Sequence, residues 1–287
     1  MLLGLSACGS KGMSDTLDIS DLPDTVAGKE VKLPENQPAY RRTSYQYEDG
    51  ELTCTYYDDF DEHDNIIRSE KNGDPENMQM TEVYSYSYDK NGNITAKTKS
   101  YVDPPSTDKK CHFYDKFYYY PDGTLKYHVD YMEDSDSGRW RKNYCEEYDS
   151  HGNEILYLSY DADGSVDYRS ETECEYDSSG ALVKETWQGD GQLQVTEYTY
   201  DDAGNVLTEV MTESSEESSQ SFVYTTEYAY DGRGNLIKET ETGPQNKTVS
   251  TECEYDDMNR LINKAVVSTR TTEKHYTYRY EYEDYQS

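Results

Sequence analysis

Aliphatic side chains are scarce in this sequence. Leu, Ile, Val and Phe make up roughly 14% of its 287 residues, a composition that, with high net charge, usually leaves a chain without a core. No run approaches the ~20 apolar residues that a transmembrane helix needs, which rules out a helical span. Positive charge is short as well. Lys and Arg number 27 against 59 Asp and Glu, a net charge of -32. A nucleic-acid binder needs a basic footprint to neutralise phosphates, so DNA and RNA are excluded as partners, and anionic headgroups repel the chain too. Motifs of catalysis and metal binding are missing. There is no Gly-x-Ser-x-Gly, no His-Glu-x-x-His, no Cys-x-x-Cys and no His-x-x-x-His. No enzyme activity, cofactor or metal is therefore expected.

What the chain has instead is tyrosine, 32 of them, and they recur at regular positions. A buried aromatic ring removes on the order of 150–250 Å² from water. At about 25 cal/mol per Å² that is several kcal/mol per ring before entropy is charged. Tyrosines in register can replace an aliphatic core.

One unit repeats. It reads aromatic-x-Tyr-Asp-x-x-Gly-Asn, followed by two aliphatics and a polar strand. Copies begin at Tyr86, Tyr198 and Tyr228, with Asp89, Asp201 and Asp231 followed by Gly92, Gly204 and Gly234. Looser copies carry Tyr148-Asp149, Tyr176-Asp177 and Tyr255-Asp256, and a degenerate one carries Phe60-Asp61. Tyr120, before Asp122 and Gly123, fills the one gap. Asp suits the first position of a type I turn, and Gly the left-handed residue that closes a hairpin with a bulge. Asn259 stands where the last copy lacks its glycine, and Asn tolerates that conformation. Second turns at Asp161-Ala162-Asp163-Gly164 and Asp190-Gly191 imply two hairpin turns and two strands per repeat. Between turns the residues alternate. Phe222, Tyr224, Thr226, Tyr228 and Tyr230 share one face, while Val223, Thr225, Glu227 and Ala229 share the other. Period two with aromatics and Thr predicts half-buried strands, roughly 14–18 of them, in an all-β antiparallel hairpin sheet.

These units resemble the YD repeats of Rhs and teneurin-like proteins, over about residues 41–287. In that family the repeats coil into a shell, which in toxin members encloses a C-terminal toxin. Here the chain ends in the strand-like Tyr276–Tyr285 with no toxin segment, so the expectation is an open or partly rolled sheet. The stretch Phe117–Lys126 also resembles a single aromatic cell-wall-binding repeat, a type that takes choline or glycans.

Leu5-Ser6-Ala7-Cys8 resembles the bacterial lipobox. The resemblance implies that Cys8 is lipidated and becomes the mature N-terminus. Residues 1–8 are then a partial lipoprotein signal. Residues 9–40, polar and carrying Pro23, Pro34 and Pro38, read as a flexible tether. Residues 41–287 form the tyrosine-rich repeat domain, anchored to the membrane rather than inserted across it.

Five cysteines besides Cys8 remain: Cys54, Cys111, Cys145, Cys174 and Cys253. Cys174 and Cys253 occupy positions that other copies give to Tyr, and read as buried free thiols, with a disulfide between neighbouring strands as the alternative. The histidines His63, His112, His128, His151 and His275 read as solvated or structural. Asp161–Asp167 is the best calcium candidate, but it lacks the distal glutamate of an EF-hand loop, and turn capping accounts for its acids. Residues 212–221 read as a long exposed hairpin loop. Together these features predict a non-enzymatic, lipid-anchored bacterial surface protein, extracytoplasmic, that displays a repeat scaffold to a protein or glycan ligand. Self-association through free sheet edges is expected as well. The alternatives are a component of a polymorphic-toxin system and a surface carbohydrate-active enzyme.

Overall fold

The computed structural model describes residues 19–26, 38–72, 80–102, 112–133, 138–215, 218–270 and 273–284. Cys8 and Cys111 lie outside them. Nineteen strands are described. The first six are β1 (Thr25–Val26), β2 (Tyr40–Glu48), β3 (Glu51–Phe60), β4 (Ile66–Asn72), β5 (Met80–Tyr88) and β6 (Ile94–Val102). Then come β7 (His112–Tyr119), β8 (Leu125–Glu133), β9 (Trp140–Tyr148), β10 (Glu154–Tyr160), β11 (Val166–Tyr176) and β12 (Leu182–Gly189). The last seven are β13 (Gln192–Tyr200), β14 (Val206–Ser215), β15 (Ser218–Tyr230), β16 (Leu236–Thr242), β17 (Thr248–Tyr255), β18 (Leu261–Ser268) and β19 (Lys274–Asp284).

β2 to β19 pair in sequence order, each antiparallel to the next, as the period-two pattern predicts. The sheet is not open. β19 returns to β2 over nine residue pairs, from Tyr276↔Glu48 to Asp284↔Tyr40. This closes an 18-strand barrel and corrects the expectation of an open or partly rolled sheet. Closure removes the two long edges that an open sheet would leave unpaired. No sequence pattern reports it, because a strand carries the same alternation whether its partner is next to it in sequence or far away.

The turns follow the repeat. Asp89 donates its N–H to the Asn93 carbonyl at 2.9 Å, and Gly92 donates to the Asp89 carbonyl at 3.2 Å. The Asp89 carboxylate accepts the N–H groups of Asn91 (2.8 Å) and Asn93 (2.9 Å). Gly92 sits at φ 90, a conformation that costs any residue with a Cβ about 1–2 kcal/mol. The same bonds recur at 149–153, 177–181, 201–205 and 231–235. At 256–260 Asn259 takes the left-handed place at φ 69, and at 61–65 Asp64 does so at φ 62. With 120–124 these turns all lie on one rim, because one hairpin turn separates each from the next. The opposite rim carries the alternate connections, among them the two-residue turns Asp49-Gly50 and Asp190-Gly191, both left-handed at each position.

Near the rim of aspartate turns the ladders between successive hairpins stop early, and tyrosine hydroxyls take over. The β4–β5 ladder ends at Arg68↔Val83, β12–β13 at Lys184↔Glu197 and β16–β17 at Lys238↔Glu252. Three residues nearer the rim, Tyr86, Tyr200 and Tyr255 donate to the carbonyls of Ile66 (2.9 Å), Leu182 (2.6 Å) and Leu236 (3.1 Å), which lie two residues past the ladder's end on the facing strands. Tyr119 and Tyr282 do the same to Ile94 (2.6 Å) and Leu261 (3.0 Å). Each acceptor is the first residue of its strand. The hydroxyl satisfies a carbonyl that has lost its ladder partner, a bond that Phe in its place could not make.

Two further corrections concern segments read as loose. Of residues 212–221, expected to form a long loop, β14 takes those up to Ser215 and β15 those from Ser218, with Ser214 opposite Ser221. Ser and Thr fit a strand as well as a loop, and the neighbouring ladder decides between them. Within the expected tether, Ile19–Val26 is docked. β1 pairs with the start of β9, Leu22 is 3% exposed, and Tyr131 donates to the Pro23 carbonyl at 2.8 Å. Leu22 packs with Ala96, Tyr114, Tyr127, Val129, Tyr131, Trp140 and Cys145, the one hydrophobic cluster among the described residues. The apolar gain at Leu22 outweighs the polar character of its surroundings in sequence.

Candidate functional site

The barrel wall has two faces, and the strand register shows what each carries. Opposed residues share a face, so the face of Tyr228 can be followed through Glu239, Thr251, Val266 and Tyr276 to Glu48. This tyrosine face holds the ladders of β5, β15 and β19. It also carries charge, including Glu209 and Glu213 on β14, Glu239 and Glu241 on β16, and Lys264 on β18. The other face of β11 bears Arg169, Glu171, Glu173 and Glu175, all exposed. Glu227, Glu252, Arg279 and Glu281 continue it on later strands. Among the described residues of β11–β19, neither face therefore carries an apolar band.

On the tyrosine face of β7, β8 and β9 stands a cluster of titratable side chains. His128 lies between two carboxylates, with Nδ1 at 2.8 Å from Glu146 Oε2 and Nε2 at 2.8 Å from Asp115 Oδ1. Its ring stacks on Phe117 at 4.6 Å and meets the edge of Tyr144 at 5.4 Å. Burial alone would lower its pKa, but the two carboxylates outweigh burial and hold it up at about 9, so the ring is an imidazolium at neutral pH. Burial also acts on Glu146, where the bonds from His128 and Tyr148 override it and hold the carboxyl below its usual range. Asp130, 3% exposed, accepts Asn143 Nδ2 at 2.7 Å. Burial raises its pKa to about 6 against the pull of that bond. Both ring nitrogens of His128 are thus spent on ion pairs, leaving neither lone pair nor free N–H for proton transfer.

Sequence reasoning left His128 among the structural histidines and missed the cluster. The signal was present in part: Asp115, His128 and Glu146 fall on one face of consecutive strands. Only the register shows that they meet. His63 and His151 sit in equivalent turns and stack on Tyr88 (4.9 Å) and Tyr176 (4.0 Å). Tyr88 donates to the carboxylate of Asp61 at 3.1 Å, and Tyr176 donates to that of Asp149. These histidines serve the turns. His275 is exposed, 3.1 Å from Glu273; the side chain of His112 lies outside the described ones. Cys54, Cys145, Cys174 and Cys253 are free thiols. Cys174 and Cys253 are half-buried on the tyrosine face, as their place in the repeat suggests. Burial pushes the Cys145 thiol up to about 12, away from the thiolate that chemistry requires. Asp163 of the calcium candidate is occupied by its own turn, accepting the N–H (2.9 Å) and hydroxyl (2.6 Å) of Ser165.

Two open clefts lie at the rim opposite the aspartate turns. One, of about 510 Å³, is lined by Arg169, Glu171, Gln188 and the Asp190-Gly191 turn. The other, of about 420 Å³, lies between Phe222 and Tyr224 of β15, the 243–247 turn and Arg270. A Cβ on Gly243 would stand 3.1 Å from the Tyr224 ring, which would have to shift by a few tenths of an ångström.

Neither a protein-family model nor a curated protein sequence matches the chain. Among solved structures, a porin-like protein from Bacteroides uniformis aligns at 10% identity and a TM-score of 0.42, over 86% of this chain and 96% of that one. The Photorhabdus luminescens Tc holotoxin pore aligns at 13% identity and 0.30, over 79% of this chain and 16% of that one. A porin-like protein from Bacteroides vulgatus aligns at 10% and 0.27, over 83% and 97%. At these TM-scores the likenesses carry no argument, and function is argued from the chain's own geometry.

Proposed function

We propose that this chain is a non-enzymatic repeat scaffold, held at the bacterial surface by a lipid on Cys8, whose barrel presents its wall and rims to a protein or glycan ligand. The observation that carries the reading is the fate of the ionisable groups. The side chains best placed for chemistry are consumed by structure: His128 by two carboxylates, and Asp89, Asp201 and Asp231 by the N–H groups of their own turns. The charge on both faces supports a barrel that stands in water beside the membrane. A barrel embedded in lipid needs an apolar band about 25 Å tall on its outer face, and Lys or Arg at mid-depth costs it about 2–4 kcal/mol each.

The test has two arms on the full chain. Radiolabelled palmitate should enter the wild-type protein in a bacterial host and be absent from Cys8→Ala; equal labelling of both would remove the anchor. A glycan array and a surface-proteome capture with the purified protein address the ligand. Turnover of any arrayed glycan would replace the scaffold reading with an enzyme.

A further inference from the structure

The rim opposite the aspartate turns contains several steps where one strand outruns its neighbour, and two of them compare directly. At the first, β9 extends to Trp140 beyond its last pair with β10, Tyr144↔Ser159. The chain fills this step itself. Thr25 and Val26 pair with Arg141 and Trp140, and Lys142 donates its N–H to the Asp24 carbonyl at 3.0 Å. At the second, β15 continues beyond Thr225↔Thr242, its last pair with β16. Among the described residues no strand lies along that side of Ser221–Tyr224. Asp231 donates its N–H to Asn235 across the β15–β16 hairpin. Alternation along a strand then aims the backbone N–H and C=O of Thr225, Val223 and Ser221 to the same side. Among the described residues Val223 and Ser221 make no ladder pair on that side, where the Pro244–Asn246 turn approaches β15. Phe222 is 43% exposed and Val223 51%, and the cleft of about 420 Å³ lies against the step.

We propose that this bare step is a docking site for an extended peptide, which adds a short antiparallel strand to β15 as β1 does to β9. The inference rests on the reading of the chain as a scaffold for a macromolecular ligand, and names the ligand's form. Backbone bonds to Val223 and Ser221 would hold the peptide, and alternate side chains would enter the cleft between Tyr224 and Pro244. Charge selects the occupant. A second copy would bring together two chains of net charge -32 each. The cleft's own lining is balanced, Glu213 and Glu241 against Lys247 and Arg270, with Arg270 paired to Glu241, so the charge of the whole chain makes the selection. The peptide that fits alternates apolar with basic residues.

Selection of phage-displayed random nonapeptides on the purified full chain tests this. Selected peptides should alternate apolar and basic residues. Fluorescence anisotropy with a labelled selected peptide should show affinity falling at least tenfold in Val223→Pro, which blocks the open edge without removing a ladder bond, and in Phe222→Ala. Circular dichroism checks that both variants fold; if Val223→Pro does not, Phe222→Ala decides. Failure to select any peptide overturns the proposal, and so does binding unchanged in the variants that fold. Cys8→Ala should bind like wild type, so a failed palmitate arm would remove the anchor and leave the edge standing.

Discussion

The two halves of the barrel obey one repeat and are held together differently. From β11 to β19 only Ser170, Thr196 and Thr251 are buried among the described residues. That half is a single-layer wall, with half-buried tyrosines on one side and exposed Glu and Arg on the other. From β6 to β9 both sides are covered. Tyr127, Val129, Tyr131 and Cys145 are at most 2% exposed on one side, under Ile19–Val26, while Asp115 and Asp130 are buried on the other. The comparison teaches that turn aspartates and tyrosine hydroxyls form the wall, and that the buried hydrophobic cluster gathers where a second layer is laid on it.

Two substitutions sharpen this contrast. The largest effect is expected from Tyr131→Ala, which empties a site with 0% exposure and frees the docked segment. It should cost about 3–5 kcal/mol in urea unfolding, as large-to-small changes at buried aromatics do. Tyr198→Ala, in the single-layer half, should cost under half as much. Equal losses would mean that the two halves share one core.

Next is a dependence on pH. The folded-state pKa of His128 is raised to about 9 from 6.5. Its contribution is complete below pH 6.5 and is lost as pH rises through 9. Asp130, raised to about 6 from 3.8, acts in the same direction at lower pH: its cost is absent below about pH 4 and complete above 6. The β7–β9 region should therefore loosen as pH climbs from 6 to 9, by up to roughly 3 kcal/mol. Hydrogen exchange of β8 amides reads this out, and His128→Gln should flatten the slope. A profile identical to wild type would break the ion-pair account.

The smallest effect is that of one hydroxyl. Tyr200→Phe leaves the Leu182 carbonyl without its bond and should lower stability by about 1 kcal/mol. Ala substitution at Glu252, exposed on the other face, should change it by less than ~0.5 kcal/mol. No difference between the two would deny the tyrosines their part in joining hairpins.

Much of this was legible in the residues. Asp-x-x-Gly marked each turn, including Asn259 in place of glycine, and alternation marked the strands and the shared face of Tyr224, Tyr228 and Tyr230. Local chemistry fixes such features, within four residues for a turn and within one strand for a face. Residues 212–215 and 218–221 read as a loop because Ser and Glu report solvent contact, which an exposed strand has as fully as a loop. The His128 cluster was legible as residue types but not as contacts, since Asp115 and Glu146 reach it only through the pairing of β7, β8 and β9.

The sequence by itself determined the hairpin, its bulged turn and the use of tyrosine in place of aliphatic residues, because each depends on neighbours a few bonds away. Contacts between distant segments decide that β19 meets β2, that Pro23 lies under Tyr131 and that β1 fills the rim step beside β9. Those pairings join residues more than a hundred positions apart, as in Lys142 with Asp24 or Lys274 with Glu48. What selects them is the burial and backbone pairing gained when distant surfaces meet, a gain that no local pattern encodes.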